Sequence, residues 1–328
     1  MSKVSGGSPS VKSKAVYRVK NWSSYNRALV ARGSLTVWLD DSLWRQWYDQ
    51  RSSQRGAQFV YSDRTIAWML TMRVLLKLPL RQTQGFIQSL LDLMGLALAV
   101  PDYSTLSRRQ GNLAVVLPTR YLDKPIHLVV DSTGLKVYGE GEWKVRQHGW
   151  TKRRTWRKLH VGVNEATGEV VAQTLTSHRI NDASQVAPLL SQVDEAVGAV
   201  GGDGAYDKQK VFDALATPPS ESSIRPIIAL RKDAIIQQHG NCKAPALARD
   251  EILRAIRQKG RKGWKQASGY HRRSLAETQI YRYKHLIGDK LKARSFANQQ
   301  VESRLGCAIL NRMIHVGKPQ SYRIEKIN

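Results

Sequence analysis

The spacing of apolar residues changes at Pro125, and this change limits the folds open to the chain. Before it, apolar residues recur at helical intervals; after it, short runs rich in Val, Ile and Leu predict strands. The expected strands cover 126–131 with 135–138, 159–163, 170–176, 198–203 and 226–230. Gly168 suits the turn of a hairpin between the second and third strands. Helical stretches separate the later strands, so the order predicts an α/β fold, a mixed sheet flanked by helices.

The segment before Pro125 is predicted to be helical. Expected helices start near Leu35, run from 62 to 78 and from 81 to 94, and end with a short helix opened by a capped turn at 101–105. Arg108 and Arg109 follow that turn, among small polar residues. Such a helix can present its side chains to a DNA groove, and packing inside a helical bundle gives the same pattern. Both interpretations stay open.

The charge balance indicates a polyanionic partner. Lys and Arg number 52 against 26 Asp and Glu, a formal charge of +26. Such an excess favours double-stranded DNA as partner, since a polyanion relieves the self-repulsion. Two basic segments, 143–158 and 252–273, are candidates to hold phosphates, the first through Arg153, Arg154, Arg157 and Lys158.

The sequence gives no support for a membrane protein, a disulfide-stabilised protein or a cysteine-type zinc site. The sequence has no apolar run long enough to span a bilayer, so we expect no membrane partner and a cytoplasmic, nucleoid-associated protein. Cys242 and Cys307 are its two cysteines, which excludes a disulfide framework and a zinc site of the cysteine type.

The stretch from Tyr270 to Lys284 contains no Pro or Gly and is predicted to be one helix. At about 100° per residue, Tyr270, Arg273, Glu277 and Lys284 fall on one narrow face. A carboxylate between cations and an aromatic ring suits a metal-assisted site for phosphates. A solvated helix face with an incidental ion pair is the alternative.

The spacing Tyr-x2-Arg-x3-Glu-x6-Lys in this stretch resembles the signature of the DDE transposases of bacterial insertion sequences, and the chain is most similar to the insertion sequence five family. The motifs Val-Val-Asp-Ser-Thr around Asp131 and Gly-Asp-Gly-Ala-Tyr around Asp203 extend the resemblance, which covers the chain from about Tyr61. It implies a ribonuclease-H-like fold, preceded by a helical DNA-binding domain. It also implies that Asp131, Asp203 and Glu277 are catalytic and bind metal, and that Tyr270, Arg273 and Lys284 contact DNA.

In a ribonuclease-H-like topology the first and fourth strands are neighbours, so the three acids would converge. Convergent carboxylates repel, and a cation is needed to keep them ionised. We therefore expect two Mg²⁺ ions, with Mn²⁺ as a substitute. Gly202 and Gly204 are expected to leave both sides of Asp203 open to an ion or a phosphate.

Each acid also has a structural interpretation. Asp131 can end a strand in a turn, Asp203 can cap a helix, and Glu277 can pair with Arg273. Two further acids compete for a role in the site: Asp207, interpreted as a helix cap, and Glu302, on the final helix, as the alternative third acid.

These features predict a basic, partly disordered arm at 1–34, a helical DNA-binding domain at 35–120, a catalytic domain at 125–315 with a basic insertion at about 234–269, and a tail at 316–328. The expected function is a transposase that binds the terminal inverted repeats of its element, nicks DNA and transfers strands, as a homodimer on DNA. A nuclease without strand transfer and an inactive DNA-binding regulator are the alternatives.

Overall fold

A computed structural model describes residues 16–39, 42–50, 60–137, 156–216, 223–238 and 246–324. The chain divides into two compact units, one of residues 41–312 and one of residues 1–40 with 313–328. The predicted division near residues 120–125 falls inside the larger unit. Within the described ranges, no helix is both long enough and apolar enough to cross a bilayer.

The smaller unit joins two ends of the chain. Strand β1 (Val16–Val19) pairs antiparallel with β8 (Ser321–Ile324), and helices α1 (Trp22–Ala31) and α2 (Leu35–Trp38) follow β1. The Arg32 guanidinium donates to the carbonyls of Met313 and Gly317 at 3.1 and 2.7 Å. The expected basic arm and tail are thus ordered where the structure describes them, because each supplies the other with a strand partner; residues 1–15 lie outside the described residues.

The helical part of the larger unit contains α3 (Ser42–Arg45), α4 (Asp63–Leu75), α5 (Leu80–Leu93) and α6 (Tyr103–Gln110). Ser62 and Asp102 cap α4 and α6 by accepting from backbone N–H groups, as their positions predict. The helix expected from Leu35 onward is replaced by the short α2 and α3. The other three predicted helices are confirmed to within a few residues.

The sheet of the larger unit has the predicted strands and one more, a short strand near residue 290 that was not predicted. They are β2 (Ile126–Val137), β3 (Trp156–Asn164), β4 (Val170–Ser177), β5 (Val197–Gly202), β6 (Arg225–Ile228) and β7 (Lys290–Leu291). The order is β4-β3-β2-β5-β6, with β7 added beside the end of β2. Strands β2, β5 and β6 run parallel, whereas β3 lies antiparallel to β2 and β4. Gly168, at φ 77°, forms the hairpin turn between β3 and β4. A mixed sheet, with β2 beside β5, is therefore confirmed.

Helices cover both faces of this sheet. They are α7 (Val186–Leu190), α8 (Gln209–Ala216), α9 (Ala248–Ala267), α10 (Ser274–Arg282) and α11 (Phe296–Val316). Leu128 and Val130 face the core that includes α7, α8 and α9. Val129 faces the other core, with Ala276 of α10 and Leu310 of α11. Since side chains alternate along a strand, Asp131 points to the same side as Val129, where α10 lies.

Candidate active site

Two strands bring Asp131 and Asp203 together. β2 and β5 are parallel neighbours whose register pairs Val129 with Gly201. Asp131 and Asp203 each follow two residues later, so their Cα atoms lie about 5 Å apart across the sheet. Both residues are half-buried, Asp131 midway along β2 and Asp203 directly after the end of β5. The convergence expected for this pair is therefore a direct result of strand register.

Asp203 also has the local role of a cap. It is the N-cap of a short 3₁₀ turn, Gly204–Tyr206, and its carboxylate accepts from the Ala205 N–H at 2.9 Å. Asp131 similarly accepts from the adjacent Ser132 N–H at 2.8 Å. Within the described residues, each side chain accepts one hydrogen bond, which leaves carboxylate lone pairs free for a cation.

Gly202 and Gly204, on either side of Asp203, were expected to leave open space for an ion or a phosphate. A Cβ on Gly202 would lie 2.9 Å from the Tyr206 ring, and one on Gly204 would lie 3.4 Å from the Ala229 carbonyl oxygen. Gly202 therefore allows the Tyr206 ring to pack against β5, so the space expected to be open on that side of Asp203 is filled, because the following turn folds back onto the strand. Open space beside Gly204 stays a prediction.

Glu277 lies on α10, which packs across β2 and β3. Its carboxylate accepts from Arg273 Nη1 at 2.7 Å, and its side chain is 49% exposed. The ion pair that was an alternative interpretation is therefore present. It holds Glu277 on the surface of the helix beside the pair of aspartates.

The predicted single helix from Tyr270 to Lys284 is divided in three. Tyr270–Arg273 is a 3₁₀ turn, Ser274–Arg282 is α-helical, and Tyr283–Ile287 is a π-helical turn that contains Lys284. These turns have different residues per turn, so the single face drawn at 100° per residue does not extend over the whole stretch. Tyr270 is buried against Trp264, and the Arg273 guanidinium lies 5.5 Å from its ring centre.

The electrostatics connect all three acids. The pKa of the Asp131 carboxyl is raised to about 6, chiefly by burial. The Ser132 hydrogen bond and Arg273 act to lower this pKa, and the charges of Asp203 and Glu277 act to raise it. An acid with such a pKa lacks sufficient positive charge nearby. In the described part of the chain, no three His, Cys, Asp or Glu side chains are close enough together to form a metal site as they stand. The oxygen donors of Asp131 and Asp203 nevertheless fit a hard divalent cation.

A second polar cluster beside Asp131 was not predicted. Asp182 accepts from Ser132 Oγ at 2.9 Å and pairs with Lys158 Nζ at 3.0 Å. His160 Nδ1 lies 3.5 Å from the same carboxylate oxygen, and burial lowers the pKa of His160 to about 4, so the ring is neutral. No sequence pattern predicts this cluster, since no spacing relates Asp182 to β2 and β3.

The predicted DNA-binding cations differ in availability. Arg108 is exposed, whereas Arg109 is buried and pairs with Asp63 at 2.5 Å, so its charge is committed to packing α6 against α4. Arg157 donates to Gln299, and Lys158 also donates to the Ile180 carbonyl. Arg153 and Arg154 lie outside the described residues.

Asp207 and Glu302, the two competing acids, are occupied elsewhere. Asp207 is buried; it pairs with Arg249 at 2.7 Å and accepts from the Arg231 N–H at 3.0 Å, so it joins the loop after β6 to α9. Glu302 is buried and accepts from the N–H groups of Lys292 and Ala293 at 2.9 and 2.7 Å. Both carboxylates hold backbone segments in place.

Two protein-family models match this chain. A family model described as a transposase DDE domain matches residues 123–312, more than half of the chain, and contains all three acids. A second model with the same description matches residues 30–140. No solved structure matches the chain. The chain therefore belongs to the DDE transposases, enzymes that cleave DNA and transfer the cut strands.

Proposed function

We propose that this transposase binds the terminal inverted repeats of an insertion sequence of the insertion sequence five group, nicks the DNA at the element ends and joins the freed ends to target DNA. The observation that carries the proposal is the strand register between β2 and β5, from which Asp131 and Asp203 each follow two residues later; burial and the neighbouring acids raise the pKa of Asp131. A half-buried acid pair in a strongly basic chain suits a metal-dependent reaction at a phosphodiester.

Asp131 and Asp203 are the proposed ligands of divalent cations, Mg²⁺ or Mn²⁺, and Glu277 is the third ligand once it leaves Arg273. When bound, two such ions supply activation of the nucleophile and stabilisation of the leaving oxygen. Half-burial of Asp131 restricts access of bulk water to one side of the site. Arg273, freed from Glu277, and Lys284 are the proposed contacts to the phosphates of the cut strand.

The two steps share one chemistry. In the first, water attacks phosphorus, the bond to the 3′-oxygen breaks, and a 3′-hydroxyl is released. In the second, that hydroxyl attacks a target phosphate and displaces another 3′-oxygen. No covalent bond to the protein forms, so no Ser or Tyr nucleophile is assigned. Cutting two ends at once requires two active sites, and the proposed assembly is a homodimer on DNA.

A strand-transfer assay tests the proposal. Labelled duplexes that carry the inverted repeats flanking the coding sequence are incubated with a supercoiled target plasmid and Mg²⁺. We expect nicked ends and joined products from the wild-type protein and neither from Asp131→Asn. Asp123→Asn, an exposed acid before β2, is the matched control and should retain both activities.

The alternatives give different results. Cleaved ends without joined products would indicate a nuclease that does not transfer strands. Repeat binding without cleavage by the wild-type protein would indicate a regulator. Cleavage by Asp131→Asn at the wild-type rate would contradict the assignment of the site.

A further inference from the structure

A basic groove lies in the larger unit, apart from the three acids. It has a volume of about 1040 Å³ and lies between the start of α5 and α6 on one side and the segment after β7 on the other. We call it the α6 groove. Its lining includes Arg73, Arg81, Tyr103, Arg108, Lys292 and Arg294.

The α6 groove has charge of one sign. Five of its lining side chains are Arg or Lys, and none of the described lining residues is Asp or Glu. Arg81, Arg108 and Arg294 are exposed, so their charged ends are available to a ligand. Ser104 and Ser107 add hydroxyl groups along the same wall. Cations together with hydroxyl donors are the side chains that most often contact phosphates of DNA.

Arg73 indicates an anionic ligand independently of this surface charge. Its side chain lines the groove, is 5% exposed, and has an Nε–H without a hydrogen-bond partner in the described part of the protein. The negative charge of Glu302 favours the charged form of Arg73 and so acts to raise its pKa. Both Glu302 carboxylate oxygens, however, already accept backbone N–H groups. A buried guanidinium with an unused donor is costly unless an anion completes its contacts.

Arg81 is held in position before any ligand binds. Its guanidinium lies 4.7 Å from the centre of the Tyr103 ring, near the Tyr103 hydroxyl. Stacking fixes the plane of the guanidinium, and Nη2 donates to the Tyr103 hydroxyl at 3.5 Å. The remaining N–H groups of the guanidinium suit hydrogen bonds to a phosphate.

We propose that the α6 groove binds the phosphodiester backbone of duplex DNA, at a distance from the scissile phosphate. This inference rests on the proposed function for the identity of the ligand. β7 pairs with the end of β2 at Val137, six residues beyond Asp131. At about 3.3 Å per residue, the groove lies about 20 Å along the strand from the acids. That distance corresponds to about six base pairs at 3.4 Å each.

The salt dependence of DNA binding tests the proposal with the full chain. The probe is a labelled duplex of about 30 base pairs and mixed sequence, and affinity is measured by fluorescence anisotropy over a range of KCl concentrations. Arg81→Ala combined with Arg294→Ala should lower affinity about tenfold at moderate salt and reduce the slope of log K against log salt by about two, because two phosphate contacts are lost. Arg81→Lys combined with Arg294→Lys should restore most of the slope.

A matched double variant controls for net charge. Lys124 and Arg225 are exposed cations just before β2 and at the start of β6, far along β2 from the groove. Replacing both by Ala removes the same charge and should leave the slope within about half a unit of wild type. An equal loss of slope in both double variants would show a diffuse charge effect and overturn the proposal.

Ethylation interference on an element-end duplex locates the contact. In wild type, modified phosphates about six base pairs from the nick should block binding, and the groove variant should lose this interference. Unchanged DNA affinity in the groove variant would overturn the proposal. Stabilisation of the wild-type protein by inorganic phosphate, with equal DNA binding by wild type and groove variant, would also overturn it. A reduced salt slope in the groove variant, together with a wild-type protein that never cleaves DNA, would support the α6 groove as a DNA-binding site. The same pair of results would refute the proposed function.

Discussion

Asp203 and Asp207 are four residues apart, and the two regions that they occupy differ in how the carboxylate is compensated. At the sheet edge, Asp203 accepts one backbone N–H within the described residues and lies beside Asp131. In the loop beyond it, Asp207 is buried, with Arg249 and the Arg231 N–H as donors. Asp207, which holds segments of the fold together, is thus neutralised by the chain, whereas Asp131 and Asp203 are left for a cation. The following predictions test this difference.

The largest expected effect is on cleavage at the sheet edge. Asp203→Asn removes a proposed metal ligand and should lower the rate of DNA nicking at least about a thousandfold, or about 4 kcal/mol of barrier. Because Asn also caps helical turns well, the free energy of unfolding should change by less than about 0.5 kcal/mol. Nicking of supercoiled plasmid and urea denaturation give the two quantities. Wild-type nicking rates in this variant would remove Asp203 from the site.

In the loop, the largest effect should be on stability. Asp207→Ala leaves the Arg249 guanidinium buried without its partner and should lower the free energy of unfolding by about 3 to 5 kcal/mol. Asp207→Ala combined with Arg249→Met should recover part of this loss, since no unpaired charge remains. A loss below about 1 kcal/mol in the single variant would mean that the two regions do not differ as described.

The pH dependence of stability should reflect Asp131. Its carboxyl pKa rises from 3.8 to about 6 on folding, chiefly through burial, so the folded chain binds the proton more tightly in that window. The associated stability is present below the unfolded pKa and is lost as pH rises through the folded pKa, by about 3 kcal/mol in total.

Asp131→Asn removes this loss. Thermal unfolding should find the variant more stable than wild type near pH 8 but not near pH 4. Mg²⁺ should raise the wild-type melting temperature near pH 8 and leave that of the variant unchanged. Stability curves of the two proteins that run parallel across this range would contradict an under-compensated Asp131.

The smallest effect concerns the surface ion pair of Glu277. Arg273→Ala should cost only about 0.3 to 0.5 kcal/mol of unfolding free energy, since the pair is partly exposed and screened. Arg254→Ala, which breaks the exposed pair with Glu251, is the matched control and should cost a similar amount. If Arg273→Ala alone lowered the free energy of unfolding by more than about 2 kcal/mol, the Arg273–Glu277 pair would be a structural ion pair, like Asp207–Arg249, and not part of the site.

Much of the larger unit was predictable from the sequence because its information is local. Alternating and continuous apolar runs located the strands, and caps such as Asp102 located helix starts. The predicted strands placed Asp131 and Asp203, although β2 continues past Asp131 to Val137. The spacing from Tyr270 to Lys284 pointed to Glu277. The family found for residues 123–312 confirms that the chain is a transposase, while the roles of the individual site residues stay predictions.

Other features depended on contacts between distant parts of the sequence, which no local pattern encodes. β1 is a strand because β8 supplies its hydrogen bonds, and Asp182 joins the site surroundings through Ser132 and Lys158. The sequence by itself determined which acids lie on a strand or directly after one. Only the tertiary structure decided which of them stay without neutralising donors, because burial and pairing are properties of surroundings brought together by folding.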